Sequence, residues 1–424
     1  MKPQTPVRIL TIGVVAAIGL LLAAPGQATN GYLIHGVGTI SKALAGAGSA
    51  LPQDAMTAGA NPAGLAFVGK RFDAGVGLFS PIRQYTVIGD PSLSLGTFGL
   101  TPGTVQSDSE LFFVPNFGAN WKVGDKASFG LSIYGQGGMN TDYPTGTFFG
   151  TSPTGVDLSQ LFIVPSYAVR FNDDHAFGLG LVLAYQTFEA QGLQAFGGFS
   201  RDAGALTNRG ADDSTGFGFK LGYLGRLTER FNLSLAYQSK VAMDPFDNYA
   251  GLFAGRGDFD IPSNITAGIA AKVGDSAWFV LDLQEIYYTD VDSVSRPLLP
   301  NLMQGPLGGS NGAGFGWDDM TVVKLGFQWE TNDTWTWRVG ASTTDQPIAP
   351  SEVLFNILAP GVMEEHFTGG FTKAVGSGKA FNLSVTYAPP VSVTGPNPLE
   401  IPGAQSIELE MEQWDLEAGF SWGF

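Results

Sequence analysis

Side chains that could perform catalysis are scarce in this chain. Three histidines, His35, His175 and His366, are the groups that could move a proton near neutral pH. There is no cysteine to serve as a nucleophile or thiolate ligand. His366 stands next to Glu364 and Glu365, a grouping that could hold a metal or do acid–base work. No Ser or Asp is placed beside it by spacing, however, and the run reads as a solvated strand end. Gly308-Gly309 lacks the strand-to-helix context of a phosphate loop. No catalytic residue, metal site or cofactor is therefore expected, and a hydrolase is the least favoured reading.

What remains is charge and apolar surface, and its distribution says where the chain works. Of 424 residues, 44% are hydrophobic and 14% charged, with 38 Asp+Glu against 22 Lys+Arg for a net charge of −16. So acidic a balance excludes a nucleic-acid partner, because phosphates are bound by Lys and Arg. Lys2 and Arg8 precede the apolar stretch Ile9 to Ala24, followed by Gly26-Gln27-Ala28. This is the pattern of a secretory signal peptide, residues 1–28, cleaved after Ala28. Its removal leaves 20 cations against 38 anions, or −18. No later run approaches the roughly 20 apolar residues of a spanning helix, which excludes a helical membrane protein.

Apolar character is instead written into alternate residues. Phe231, Leu233, Leu235 and Tyr237 alternate with Asn232, Ser234, Ala236 and Gln238, and the same period of two recurs in 177–185 and 381–387. The small or polar face is rich in Gly and Ser. Six tight turns, at 124–126, 172–174, 228–229, 274–275, 332–333 and 376–378, alternate strictly with seven long connections. The long ones run 83–108, 138–157, 191–211, 244–256, 289–316, 346–360 and 392–405. Thirteen connections join fourteen strands, an even number with both ends on the short-turn side, as outer-membrane barrels require. The predicted fold is all-β, a fourteen-stranded antiparallel transmembrane β-barrel over residues 70–424. The last strand, Trp414 to Phe424, ends on an aromatic in register with a lipid-facing stripe, like the signal read by barrel assembly machinery.

Residues 29–69 lack alternation. Ser41 to Ala50 is small and helix-tolerant, and Asn61-Pro62-Ala63-Gly64-Leu65 is a turn. Fourteen strands leave a lumen that something must fill, and this segment reads as an internal plug, or hatch. Asn30-Gly31-Tyr32, Gly46-Ala47-Gly48-Ser49-Ala50, Asp54 and above all Asn61-Pro62-Ala63-Gly64-Leu65 are where the sequence resembles the FadL family, outer-membrane transporters of long-chain fatty acids and related hydrophobic compounds. One departure is that Asp54 has no second acid beside it in the sequence. The resemblance implies a fourteen-stranded barrel occluded by an N-terminal hatch, passive uptake of fatty acids or aromatic and aliphatic hydrocarbons across the outer membrane of a Gram-negative bacterium, hatch movement on ligand binding near the mature N-terminus, and lateral exit through the barrel wall. Gly135, Gly137, Gly138, Pro115 and Pro165 are candidates for that opening, since Gly and Pro weaken ladder pairing.

Two sets of residues are expected to meet the substrate. Leu193, Phe196 and Phe199 in the third long loop, with Phe246, Tyr249, Leu252 and Phe253 in the fourth, are more apolar than free loops need be, and either capture ligand or bury one another as a lid. On the inward stripe, Lys220, Asp282, Lys324, Arg338, Asp415 and Glu417 are charged. They pair with each other and the hatch, or Lys220, Lys324 or Arg338 holds a fatty-acid carboxylate. Acidic loop residues such as Asp202, Asp212, Asp213, Asp244 and Asp247 are expected at a solvated surface or, through divalent cations, at lipopolysaccharide. The alternative reading is a non-selective porin or adhesin, which the hatch would distinguish. A plugged barrel needs no partner subunit, so a monomer is expected.

Overall fold

The computed structural model describes residues 29–424; the signal peptide expected at residues 1–28 lies outside the described residues. Fourteen long strands form one closed antiparallel sheet. They are β1 (Arg71–Ile88), β2 (Phe112–Val123), β3 (Ala127–Asp142), β4 (Gly155–Arg170), β5 (His175–Gln191), β6 (Asp212–Thr228), β7 (Phe231–Gln238), β8 (Asn264–Val273), β9 (Ala277–Ile286), β10 (Met320–Asn332), β11 (Trp335–Thr344), β12 (Glu365–Gly376), β13 (Lys379–Pro396) and β14 (Ser406–Gly423). Each pairs with its sequence neighbours, and β14 closes on β1 over eighteen residue pairs, from Gly423↔Arg71 to Ser406↔Ile88. Closure leaves no edge, the condition for a sheet to cross a bilayer. Two-residue strands Thr29–Asn30 and Leu33–Ile34, the short helix Thr39–Lys42 and the 3-10 turn Pro62–Ala66 belong to the hatch within.

Alternation produces two unlike faces. Outward Phe177, Leu179, Leu181 and Leu183 are exposed, as are Trp414 and Leu416, whereas Asp415, Glu417 and the intervening small residues are buried inside. An Arg or Lys on the outer face would cost about 2–4 kcal/mol at mid-bilayer. Near the short turns Trp335 stacks on Trp337 at 5.4 Å, with the Lys373 ammonium 5.1 Å from the Trp335 ring. Such amphipathic rings suit a membrane–water interface.

Several strands run further into the long-loop side than the sequence suggests. β1 continues to Ile88, β3 to Asp142 and β13 to Pro396, where long connections were expected to begin at residues 83, 138 and 392. The physical reason is that the period persists while its polarity inverts. In the lower part of β14 the inward residues are Gln413, Asp415 and Glu417; in the upper part they are Ile407, Leu409 and Met411, with Glu408, Glu410 and Glu412 turned outward. The barrel therefore has a polar interior across the bilayer and an apolar interior above it. The upper stripes join the folded long loops in one buried apolar cluster that includes Tyr85, Val87, Phe188, Phe246, Tyr288 and Trp317.

Candidate functional site

The hatch fills the polar storey through contacts that use nearly every inward charge. Lys42 Nζ lies 2.9 Å from Asp415 and 2.8 Å from Glu417, and Glu417 also accepts from Thr39 Oγ1 and Asn116 Nδ2, both at 2.8 Å. Asp282 accepts from the backbone N–H of Gly48 at 3.1 Å and of Ser49 at 3.0 Å. Lys324 Nζ donates to the His35 carbonyl at 2.9 Å, Lys220 Nζ to the Gly59 carbonyl, and Arg338 to Gln53 Oε1, Gln328 Oε1 and Thr372 Oγ1. Buried charges are tolerated when paired or hydrogen-bonded in this way. Lys220, Lys324 and Arg338, the sequence candidates for a carboxylate, thus all face the hatch.

Inward glycines let the hatch backbone lie directly on the wall. A Cβ at Gly178 would overlap the Pro62–Ala63 peptide, and one at Gly222 would overlap Asn61 Oδ1. Asn61 itself holds the turn: its Oδ1 accepts from Ala63 N and its Nδ2 donates to the Tyr223 carbonyl, each at 3.0 Å. Gly31, with φ +64°, allows the chain to turn between its two short strands.

One sequence expectation is corrected here. His366 is not at a solvated strand end: it is fully buried and stacks on His35 of the hatch, ring centroids 5.2 Å apart and 8° from parallel. β12 turns it into the lumen. Asp54 has no second acid beside it in the sequence, and the wall supplies one: Asp73 of β1, which Arg71 bonds through two nitrogens. Burial, reinforced by Asp73, pushes the Asp54 carboxyl up to about 7.

Above the hatch, the long loops close over a narrow apolar crevice. The loop residues Leu193, Phe196, Leu252 and Phe253 line it together with Phe188, Phe315 and Phe355. Phe246 packs behind it on Phe188 and Phe253, while Phe199 is 38% exposed and lies outside. Tyr249 is buried and donates through its hydroxyl to the Gly210 carbonyl. A second narrow pocket lies beside Thr29 and Gly31 among Phe79, Phe112, Met139 and Met411. Tyr32 of the hatch is caged by Phe259, Tyr288 and Trp317 at ring distances of 6.0, 5.2 and 5.7 Å.

The second pocket abuts a break in the wall. β2 and β3 pair from Val123↔Ala127 only as far as Asn116↔Tyr134. Beyond that point Phe112 to Pro115 pairs with β1 alone, and the rest of β3 with β4, with a bulge between Gly135 and Gly137. The hatch occupies the vacant edge: Leu33 pairs with Gly137, and Gly138 N donates to the Tyr32 carbonyl at 3.0 Å. Arg83 closes the top, donating to the carbonyls of Asn140 and Ser109. Pro115 and the three glycines gather at this break; Pro165 instead interrupts the β4–β5 ladder. Sequence reading missed Arg83, Tyr288 and Trp317: Arg83 stood at the start of an expected long connection, and Tyr288 and Trp317 stood just outside the expected connection 289–316, where no strand pattern marks a residue as interior.

A family model described as outer membrane protein transport protein (OMPP1/FadL/TodX) matches residues 15–357. The long-chain fatty acid transport protein of Escherichia coli (strain K12) is 24% identical over 454 residues, covering 97% of each chain, and that of Salmonella typhi is 23% identical over 450. Among solved structures, the Pseudomonas putida toluene transporter TodX superposes with a TM-score of 0.68 at 18% identity, over 93% of this chain and 100% of that one. A Pseudomonas aeruginosa FadL homologue gives 0.69 at 16%, with the same coverage. Fold, hatch and family match converge: the chain belongs to the OMPP1/FadL/TodX family of outer-membrane transport proteins.

Proposed function

We propose that the protein takes up hydrophobic small molecules, long-chain fatty acids or aromatic and aliphatic hydrocarbons, passively across the outer membrane. A lipopolysaccharide leaflet resists apolar solutes, and a water-filled pore offers nothing to a molecule that prefers hydrocarbon. A relay of apolar sites does. The relay starts at the loop crevice with Leu193, Phe196, Leu252 and Phe253, continues to the pocket beside Thr29 and Gly31, and ends at the break between β2 and β3, where the solute enters the bilayer sideways once Tyr32 and Leu33 withdraw. The observation that carries this reading is the unpaired edge of β3 filled by the hatch at Gly137, next to an apolar pocket. It is supported by the polar storey below, where the hatch occupies the lumen and leaves an open-pore role poorly served. Lys220, Lys324 and Arg338 act in this account as the latches that hold the hatch while substrate passes above it.

The test is uptake in a strain lacking its own hydrophobic-solute channel. The protein should restore entry of at least one of oleate, toluene and a medium-chain alkane, and leave entry of a hydrophilic sugar unchanged. Sugar entry rising with the others would indicate a porin instead.

A further inference from the structure

At the short-turn end of the barrel, the periplasmic end in this architecture, wall and hatch border a vestibule of about 450 Å³, within the range of about 300–1,000 Å³ usual for small-ligand sites. Lys70, Arg71, Arg338 and Lys379 line it and no carboxylate side chain does, in a chain whose net charge is −16. Arg71 is paired with Asp73. Arg338, 4% exposed, hydrogen-bonds only neutral groups, and Asp54 and Glu330 act on it from further away. Among the described residues Lys70 and Lys379 have no ion-pair partner. The hydrogen bonds that run from Arg338 have one possible direction. A guanidinium only donates, so Thr372 Oγ1 accepts from it at 2.7 Å and passes its own hydrogen to Asn382 Oδ1 at 2.6 Å; the Asn382 amide then donates to Ser421 Oγ at 2.9 Å. The relay ends on the Ser421 hydroxyl, 5% exposed and lining the vestibule, whose hydrogen is left for a guest. Donor-bearing residues thus border this space on β11, β13, β14 and at the start of β1.

We infer that this vestibule is a binding site for a phosphate group, presented at the periplasmic face either by free phosphate or by the head of an inner-leaflet phospholipid. It lies at the opposite end of the barrel from the loop crevice and stands independently of the uptake reading. Donors on several sides suit a tetrahedral anion, whose oxygens point in as many directions, better than a planar carboxylate. The lysine stems are long and flexible enough to bring their ammonium groups over it. The rim also stands at the level of lipid heads: β11 and β14, which border the vestibule, expose Trp337 and Trp422, the ring type that marks this level. A bound phosphate supplies the counter-charge that Arg338 lacks. Arg338 also holds Gln53 Oε1 of the hatch at 2.8 Å, and Arg71 holds the Gln53 carbonyl, so the anion would share the groups that fix the hatch from below.

Thermal unfolding of the mature protein in detergent micelles, at fixed ionic strength, tests this. Sodium phosphate titrated in place of sodium chloride, or dioctanoyl phosphatidylglycerol compared with dioctanoylglycerol, which lacks the phosphate, should raise the midpoint saturably, as binding to the folded form alone requires. A response to sodium phosphate assigns the free anion, and a response to the phospholipid alone assigns the lipid head. The inference is overturned if neither raises the midpoint, or if chloride and dioctanoylglycerol raise it equally. Ser421→Ala, and separately Lys70→Gln with Lys379→Gln, should weaken the phosphate-bearing ligand about fivefold or more, with the midpoint in its absence near that of the unaltered protein. Both lysines are exposed, so the paired variant keeps the test decisive even where Ser421→Ala loosens the wall. Affinity within about twofold of the unaltered protein in both variants would also overturn the inference.

Discussion

The Tyr288 hydroxyl donates a hydrogen bond of 2.6 Å to the carbonyl of Asn30 and accepts one of 3.3 Å from the N–H of Tyr32. One phenol thus joins the loop that contributes Phe315 to the apolar crevice to the hatch segment that plugs the wall. A loop displaced by a captured solute would pull on that segment through a short, buried connection.

Tyr288→Phe should loosen this connection at small cost to the barrel, about 1 kcal/mol for a net hydrogen bond. Hydrogen exchange at residues 30–34 should quicken and uptake should change, with the heat-resistant folded band preserved. Unchanged exchange at those residues would show that the phenol does not hold the hatch.

Lys42→Met would leave Asp415 and Glu417 buried without their cation, a loss of about 3–5 kcal/mol by the usual cost of stranding one side of a buried ion group. Thermal unfolding should show a clear drop. Adding Asp415→Asn and Glu417→Gln should recover most of it, because the stranded charge, rather than the missing contact, is what destabilises. A triple variant as weak as the single would contradict this.

Gly222→Val would drive a side chain into Asn61 and displace the Asn61–Ala63 turn from the wall. Conductance in planar bilayers should rise while the barrel still resists boiling-free electrophoresis as a compact band. Deleting residues 43–59 should have the same sign and a larger size. A silent bilayer in both cases would mean that the hatch is not the plug.

Asp54 gives a pH signature. Its carboxyl is raised in the folded chain to about 7 by burial and then by Asp73, against about 4 when unfolded. The folded form therefore binds more protons in between, so the stability of the hatch contact should be highest at low pH and fall as pH rises from about 4 to about 7. Asp54→Asn should flatten that slope, as read by the rate of proteolysis of the hatch; an unchanged slope would assign it to other groups.

The membrane part of the fold was legible because a bilayer imposes its polarity directly: every outward position from Phe177 to Leu183 must be apolar, and the short turns punctuate it. All fourteen strands stand where the alternation of Leu235, Ile269 or Val385 indicates. The upper storey was not legible in the same way. There, water lies outside and packed loops inside, so Tyr85, Val87, Ile407 and Leu409 reverse the rule, and a reader looking for a lipid stripe stops too early. The inward charges were identified, but their partners were not, since Lys324 meets His35 across 289 residues of sequence. His366 misled for the same reason: flanking Glu364 and Glu365 suggest solvent, while the strand turns its ring onto His35.

The most direct test of the account is to close the break in the wall. The chain has no cysteine, so a pair introduced at Val114 and Gln136, two steps along the β2–β3 register beyond Asn116↔Tyr134, can be bridged cleanly by a short thiol cross-linker. The account predicts that bridging abolishes uptake of the hydrophobic substrate, that reduction of a cleavable linker restores it, and that folding is unaffected throughout. Uptake that continues at its original rate with the two strands fully bridged would contradict lateral passage.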